Sequence, residues 1–126
     1  MTDLKKINIS SIISARNFLH DIVRDAKSDY EKAGAIQAFE VCYELAWHLC
    51  QKVLFLRNIN VFSHKETFRT SALEGLIKNP EEWFSFDKKR NLTTHTYDGK
   101  IALEIIEYLP QFIKELDELI FNLKGI

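Results

Sequence analysis

The chain is predicted to be all-α, an antiparallel up-down four-helix bundle with one short extra helix. Two observations carry this. Only four glycines and two prolines occur among 126 residues, so few positions interrupt a helix. Apolar residues recur at helical spacing almost throughout, and two long segments settle into the 4-3-4-3 seam that packs one helix against another. A chain of this length forms one core rather than two, and no linker, internal repeat or low-complexity tract divides it. Residues 1–126 therefore read as a single domain.

The first helix is expected from Ser10 or Ser11, both suitable N-caps, to about Lys27, with Ile12, Ala15, Leu19, Ile22 and Ala26 on its apolar stripe. The second, roughly Tyr30 to Arg57, carries the seam Ala35, Phe39, Cys42, Ala46, Leu49, Val53 and Leu56. Beside it runs a second stripe of Ile36, Tyr43, Trp47, Cys50 and Leu54. Two stripes need neighbours on two sides, which makes this the central helix. Glu40 falls within the second stripe. A carboxylate there either reaches solvent at the bundle edge or is paired with a cation, because an unpaired buried charge is expensive.

"SHKE", Ser63 to Glu66, has the form of a capping box and opens a third helix that should run to about Lys78. "NPEE" supplies Asn79 as N-cap, Pro80 at the first helical position and two acids in the first turn. The short fourth helix that follows carries Trp83, Phe84 and Phe86. Asp98 is placed to cap the last helix, whose seam is Ile105, Leu109, Phe112, Leu116, Leu119 and Leu123. Pro110 interrupts one backbone hydrogen bond there, and a bend rather than a stop is expected because the seam continues beyond it.

Composition excludes several function classes. A formal charge of −1 with 28% charged residues gives no global basic field for nucleic acid or membrane, so any polyanion site must be local. Cys42 and Cys50 lie eight positions apart on one helix, more than two turns, and cannot bridge; reduced core cysteines suit a cytoplasmic protein. The first residues lack an uninterrupted apolar leader, and no apolar run is long enough to span a membrane. His20, His48, His64 and His95 are dispersed, no Cys-x-x-Cys is present, and no Gly-rich phosphate loop occurs, so neither metal nor cofactor is expected. His48, beside Gln37, Glu44 and Gln51 on the polar stripe, reads as a surface residue.

That leaves "KRNLTTHTYDG", residues 89 to 99. On a continuous helix Arg90 and Tyr97 would share a face while His95 pointed away. Convergence of the three requires the helix to loosen after about Leu92, and β-branched threonines followed by Asp-Gly have the composition for that. Arginine offers a planar, permanent charge to a phosphate, and histidine titrates near neutrality and can move a proton. Lys88 and Lys89 extend the positive patch to a size that fits a short single-stranded contact. Spacing alone favours a structural role, in which Arg90 pairs with Glu40, Glu44 or Asp87 and His95 complements a helix dipole.

Read together, "AFE..YELAW" on the second helix and "RNLTTHTYD" about fifty residues on resemble the nucleotidyltransferase substrate-binding protein family. Its fold is similar to HEPN domains and to the helical C-terminal domain of kanamycin nucleotidyltransferase. The resemblance covers about Asp25 to Leu123, including the short helix with Trp83 and "EYLP". It implies a HEPN-like bundle, usually a homodimer, encoded with a small MNT-type nucleotidyltransferase protein. HEPN domains with an Arg-x4-His motif often act as metal-independent ribonucleases, and in two-gene HEPN–MNT modules the ribonuclease is a toxin and its partner the antitoxin. Arg90 and His95 match the motif's arginine and histidine, and Asn91 its polar residue. Tyr97 completes the longer Arg-x4-His-x-Tyr form, whose tyrosine is in some relatives a target of nucleotide addition. One departure is that relatives often carry a basic residue before "FE", where this chain has "AGAIQAFE"; the contact made from that position is not expected. Two readings follow from the resemblance. One is a toxin-like RNA endonuclease neutralised by its MNT partner, with Arg90 and His95 catalytic, and Asn91, Tyr97, Lys88 and Lys89 binding substrate. The other is a non-catalytic subunit that presents a nucleotide to the partner enzyme.

Overall fold

The structure is a computed structural model that describes residues 7–126. The reading of a chain start without a leader falls partly on residues 1–6, outside the described residues. Five α-helices follow in order, α1 (Ser10–Asp25), α2 (Asp29–Leu56), α3 (His64–Leu73), α4 (Pro80–Leu92) and α5 (Gly99–Lys124), with a 3-10 turn at Thr93–His95 between the last two. Among the described residues there is no strand, and none of their helices is long and apolar enough to cross a membrane.

Helix α2 is central and packs against α1, α3, α4 and α5. On its seam Ala35, Phe39, Cys42, Ala46 and Val53 are buried, and on its second stripe Ile36, Tyr43, Cys50 and Leu54. The α5 seam from Ile105 to Leu123 is buried at all six positions. Aromatic rings knit these faces together. Phe112 of α5 meets Phe39 edge-on at 4.8 Å and Phe86 at 4.9 Å, while Trp83 stacks on Phe68 at 4.8 Å. Cys42 and Cys50 are free and buried, and burial pushes both thiols up to about 12. Helix α5 runs unbroken through Pro110, which lies on the exposed side, so the carbonyl left without a donor is on the side facing water.

The helix ends differ from expectation in instructive ways. Neither Ser10 nor Ser11 caps α1. The N-cap position is Ile9, and the Asn8 carboxamide oxygen accepts instead from the Ser10 backbone N–H at 2.9 Å. The helix also stops at Asp25 rather than Lys27. Helix α2 opens one residue earlier than Tyr30, on a full capping box in which Ser28 accepts from Glu31 N–H and Glu31 from Ser28 N–H. At "SHKE" only half the box forms. Ser63 accepts from Glu66 N–H, whereas the Glu66 carboxylate reaches past it to Phe62 N–H at 2.9 Å.

Helix α3 ends at Leu73, not near Lys78, and is the shortest of the five. Gly75 adopts φ 81°, and Leu76 N–H returns to Ser71 C=O at 2.9 Å, the bond of a Schellman cap. Asn58 closes α2 the same way, with φ 65° and Ile59 N–H on Leu54 C=O. Asn79 stands at the N-cap of α4 without capping it. Its side-chain amide donates to the buried carboxylate of Glu115 on α5 at 3.2 Å, so the residue ties a loop to the core.

Candidate functional site

The break after α4 has a local cause. Thr93 is buried, and its hydroxyl donates to the Arg90 carbonyl at 2.7 Å, taking the acceptor that a further turn of helix would use. The chain tightens into the 3-10 turn Thr93–His95, Asp98 N–H returns to the His95 carbonyl at 3.0 Å, and the Asp98 carboxylate caps α5 by accepting from Lys100 N–H. Within eight residues the backbone leaves one helix and enters another.

Arg90 projects from the last turn of α4 towards α2. Its Nη1 lies 3.6 Å from Glu40 and its Nε 3.5 Å from Glu44, one helical turn apart on the stripe that faces α4. The open question about Glu40 thus has a mixed answer: the carboxylate is one-third exposed and also paired. Nη1 further donates to the Thr93 hydroxyl at 3.4 Å. Neither carboxylate contact is a hydrogen bond, Nε is buried without a hydrogen-bond partner, and among the described residues Nη2 makes no hydrogen bond. The two carboxylates hold the guanidinium by charge, and its Nη2 is left to donate to a ligand oxygen.

His95 and Tyr97 are both exposed, and the histidine Nδ1 lies 3.1 Å from the tyrosine hydroxyl. That contact ties one ring nitrogen, and among the described residues Nε2 makes no hydrogen bond. The three side chains do not form one hydrogen-bonded cluster. Among the described residues no hydrogen bond joins Arg90 to His95, so the site has two parts joined by the Thr93 turn. Of the remaining residues singled out in the sequence, Lys88 and Asn91 are exposed. Lys89 is engaged elsewhere, at 2.6 Å from Glu104 and 5.2 Å from the Tyr108 ring centre on α5. Asp87 does not pair with Arg90.

Asp87 belongs instead to a constellation that sequence reasoning missed. The buried Tyr43 hydroxyl donates to the Asp87 carboxylate at 2.8 Å, and His64 Nδ1 lies 2.8 Å from the same oxygen. Burial first, then the hydrogen bond to Asp87, raises the Tyr43 phenol well above its ordinary range, so it stays a donor. His64 also packs over Trp47 at 4.2 Å between ring centres. One turn before Arg90 on α4, Asp87 is thereby locked to α2 and to the start of α3, which sets the rotation of α4 about its axis. The spacing of three residues from Asp87 to Arg90 on α4 and from Glu40 to Tyr43 on α2 was a helical-face signal, but His64 lies over twenty residues from either partner. Among the described residues no group of three or more His, Cys, Asp or Glu is placed to hold a metal ion.

Comparison with known proteins agrees with this architecture. A family model described as "Nucleotidyltransferase substrate binding protein like" matches residues 5–125. A Haemophilus influenzae protein named "Probable ribonuclease HepT" is 32% identical over 117 residues, covering 89% of this chain and 80% of the relative. A solved Haemophilus influenzae structure, described as revealing the fold of a substrate-binding domain of a nucleotidyltransferase, superposes with a TM-score of 0.86 at 28% identity, covering 93% of this chain and 99% of the other. A Thermus thermophilus crystal structure superposes with a TM-score of 0.83 at 25% identity, covering 89% and 98%.

Proposed function

From the premise that the chain belongs to the nucleotidyltransferase substrate binding protein like family, we propose that it is a metal-independent RNA endonuclease of the HEPN type, silenced by an MNT-type nucleotidyltransferase partner. The observation that carries this reading is the pairing of an ion-paired arginine with an exposed histidine on either side of one turn. The Arg90 Nη2 edge takes a non-bridging phosphate oxygen, where charge grows in the transition state. His95 accepts the proton of a ribose 2′-hydroxyl as its oxygen attacks phosphorus. The 5′-oxygen leaves with a proton, giving a 2′,3′-cyclic phosphate and a 5′-hydroxyl. Each protomer brings one such histidine, and a homodimer with facing motifs provides the second, as acid to the first as base. The name of the Haemophilus relative supports the ribonuclease class.

Tyr97 has a second role in this proposal. Its hydroxyl is exposed and sits on the histidine, so addition of a nucleotide there by the partner would block proton transfer at His95. The test is expression of the chain alone in cells and incubation of the purified protein with single-stranded RNA in chelator. Growth arrest and cleavage are expected, and both should vanish in His95→Ala. Equal toxicity and equal cleavage by the two proteins would remove the nuclease role.

A second reading is favoured by the carboxylates around Arg90. Glu40 and Glu44 oppose a polyanion at the site, which suits a subunit that holds one nucleotide for a partner nucleotidyltransferase better than one that grips an RNA strand. Calorimetry with nucleotides, with and without the partner, tests it, and no heat in either arrangement would exclude it.

A further inference from the structure

We propose that the cleft between the first turns of α2 and α5 is a nucleoside subsite, taking one unstacked base and its ribose from the strand held at Arg90. This rests on the nucleotide-directed reading above and adds a specific pocket to it. The cleft measures about 270 Å³ and is lined by Asp29, Lys32, Ala33 and Ile36 on α2, and by Tyr97 and Leu103 at the α5 end.

Its position is the first argument. Tyr97, whose hydroxyl touches His95, forms one wall, so an occupant lies a single side chain from the acid/base group. Ile36, at the floor, is one helical turn from Glu40, so the cleft and the arginine clamp are neighbours along one stripe of α2, about 6 Å apart in rise.

The lining is the second. Tyr97 is 84% exposed and lines the cleft, and an open aromatic face of this kind can stack on a base. Ile36, Ala33 and Leu103 supply an apolar seat for the base edge. Lys32 carries no ion pair among the described residues and is placed for a phosphate, while the unpaired Asp29 carboxylate accepts from a ribose hydroxyl or an exocyclic amine. A cleft of this size admits one nucleoside and no duplex.

The experiment uses the full chain and the four nucleoside 5′-monophosphates, with ribose 5-phosphate as the base-free control, followed by NMR of backbone amides. Nucleotides should shift the amides of Ala33, Ile36, Tyr97 and Leu103, and should bind about 5- to 150-fold more tightly than ribose 5-phosphate, the range of one base–aromatic stack. Ala33→Leu, at an exposed position, fills the cleft without entering the core and should abolish the difference. Lys32→Gln should weaken all five ligands alike, with Lys32→Arg restoring them.

Absence of shifts with every nucleotide, equal affinity for ribose 5-phosphate, or unchanged affinity in folded Ala33→Leu would each overturn the proposal. RNA cleavage read in parallel separates the two claims. Cleavage whose KM is unmoved by Ala33→Leu refutes the subsite and leaves the nuclease reading standing. Nucleotide binding lost in Ala33→Leu, in a protein that cuts no RNA, supports the subsite and refutes the nuclease.

Discussion

Replacing Arg90 by glutamine separates what the arginine does for the fold from what it does for a substrate. Its two carboxylate contacts, at 3.5 and 3.6 Å, join side chains that are each about one-third exposed, so solvent screening limits them to about 0.5 kcal/mol apiece. Removing the cation leaves Glu40 and Glu44 as like charges one turn apart on α2, which adds about 0.3–0.5 kcal/mol. The stability loss is then about 1–1.5 kcal/mol. With an unfolding entropy of about 2.1 cal/mol/K per residue over 126 residues, Tm falls by about 4–6 °C. The chemical loss is much larger. An anchor that meets developing charge on phosphate is worth about 100- to 1,000-fold in rate. Differential scanning calorimetry and single-turnover cleavage of a labelled single-stranded RNA read the two effects separately. The triple change Glu40→Gln, Glu44→Gln and Arg90→Gln removes the repulsion but not the loss of the ion pairs, and should recover about 1–2 °C of the Tm with none of the rate. Arg90→Gln cleaving within about threefold of the wild type, or a triple variant that regains rate along with Tm, would refute the anchor role.

Tyr97→Phe removes the hydroxyl from His95 Nδ1 and should slow cleavage by about 2- to 10-fold, the worth of one neutral hydrogen bond; the same change should abolish any mass increase on incubation with partner and ATP. Cys42 and Cys50, with thiols pushed up to about 12, should resist alkylation at pH 8 until urea unfolds the chain, as read by mass spectrometry. Since folding raises these thiols from about 9, the folded state holds protons that the unfolded state has lost between those values. Their contribution to stability is complete below about pH 9 and declines as pH rises towards 12, which urea melts across that window measure. Gly75→Ala meets no atom within 4 Å, yet its φ of 81° should cost about 1 kcal/mol and lower Tm by about 4 °C; an unchanged Tm would remove the Schellman cap from the account of where α3 ends.

The helices and their packing faces were legible because they are written at spacings of three and four residues. The seams on α2 and α5, the Asp98 cap and the break after Leu92 all follow from side chains acting within one or two turns. The premature end of α3 was written locally too, in Gly75, but the apolar Leu76 and Ile77 just beyond it concealed it; both residues are buried from the loop instead. Glu40 could be narrowed to two fates and no further, since which cation comes opposite depends on how α4 is rotated against α2.

That rotation is a tertiary quantity. It is set by Asp87 meeting Tyr43 and His64, residues 44 and 23 positions away, and by Phe86 and Trp83 entering the aromatic core. Likewise the cleft at Tyr97 exists only because the start of α2 comes to lie beside the start of α5, nearly seventy residues later in the chain. The sequence by itself determined that an arginine, a histidine and a tyrosine would stand around one broken turn. Only the packing of distant helices decided that the arginine lies between two carboxylates and that a pocket opens beside Tyr97, because contacts across such separations depend on helix register and rotation rather than on any local pattern of residues.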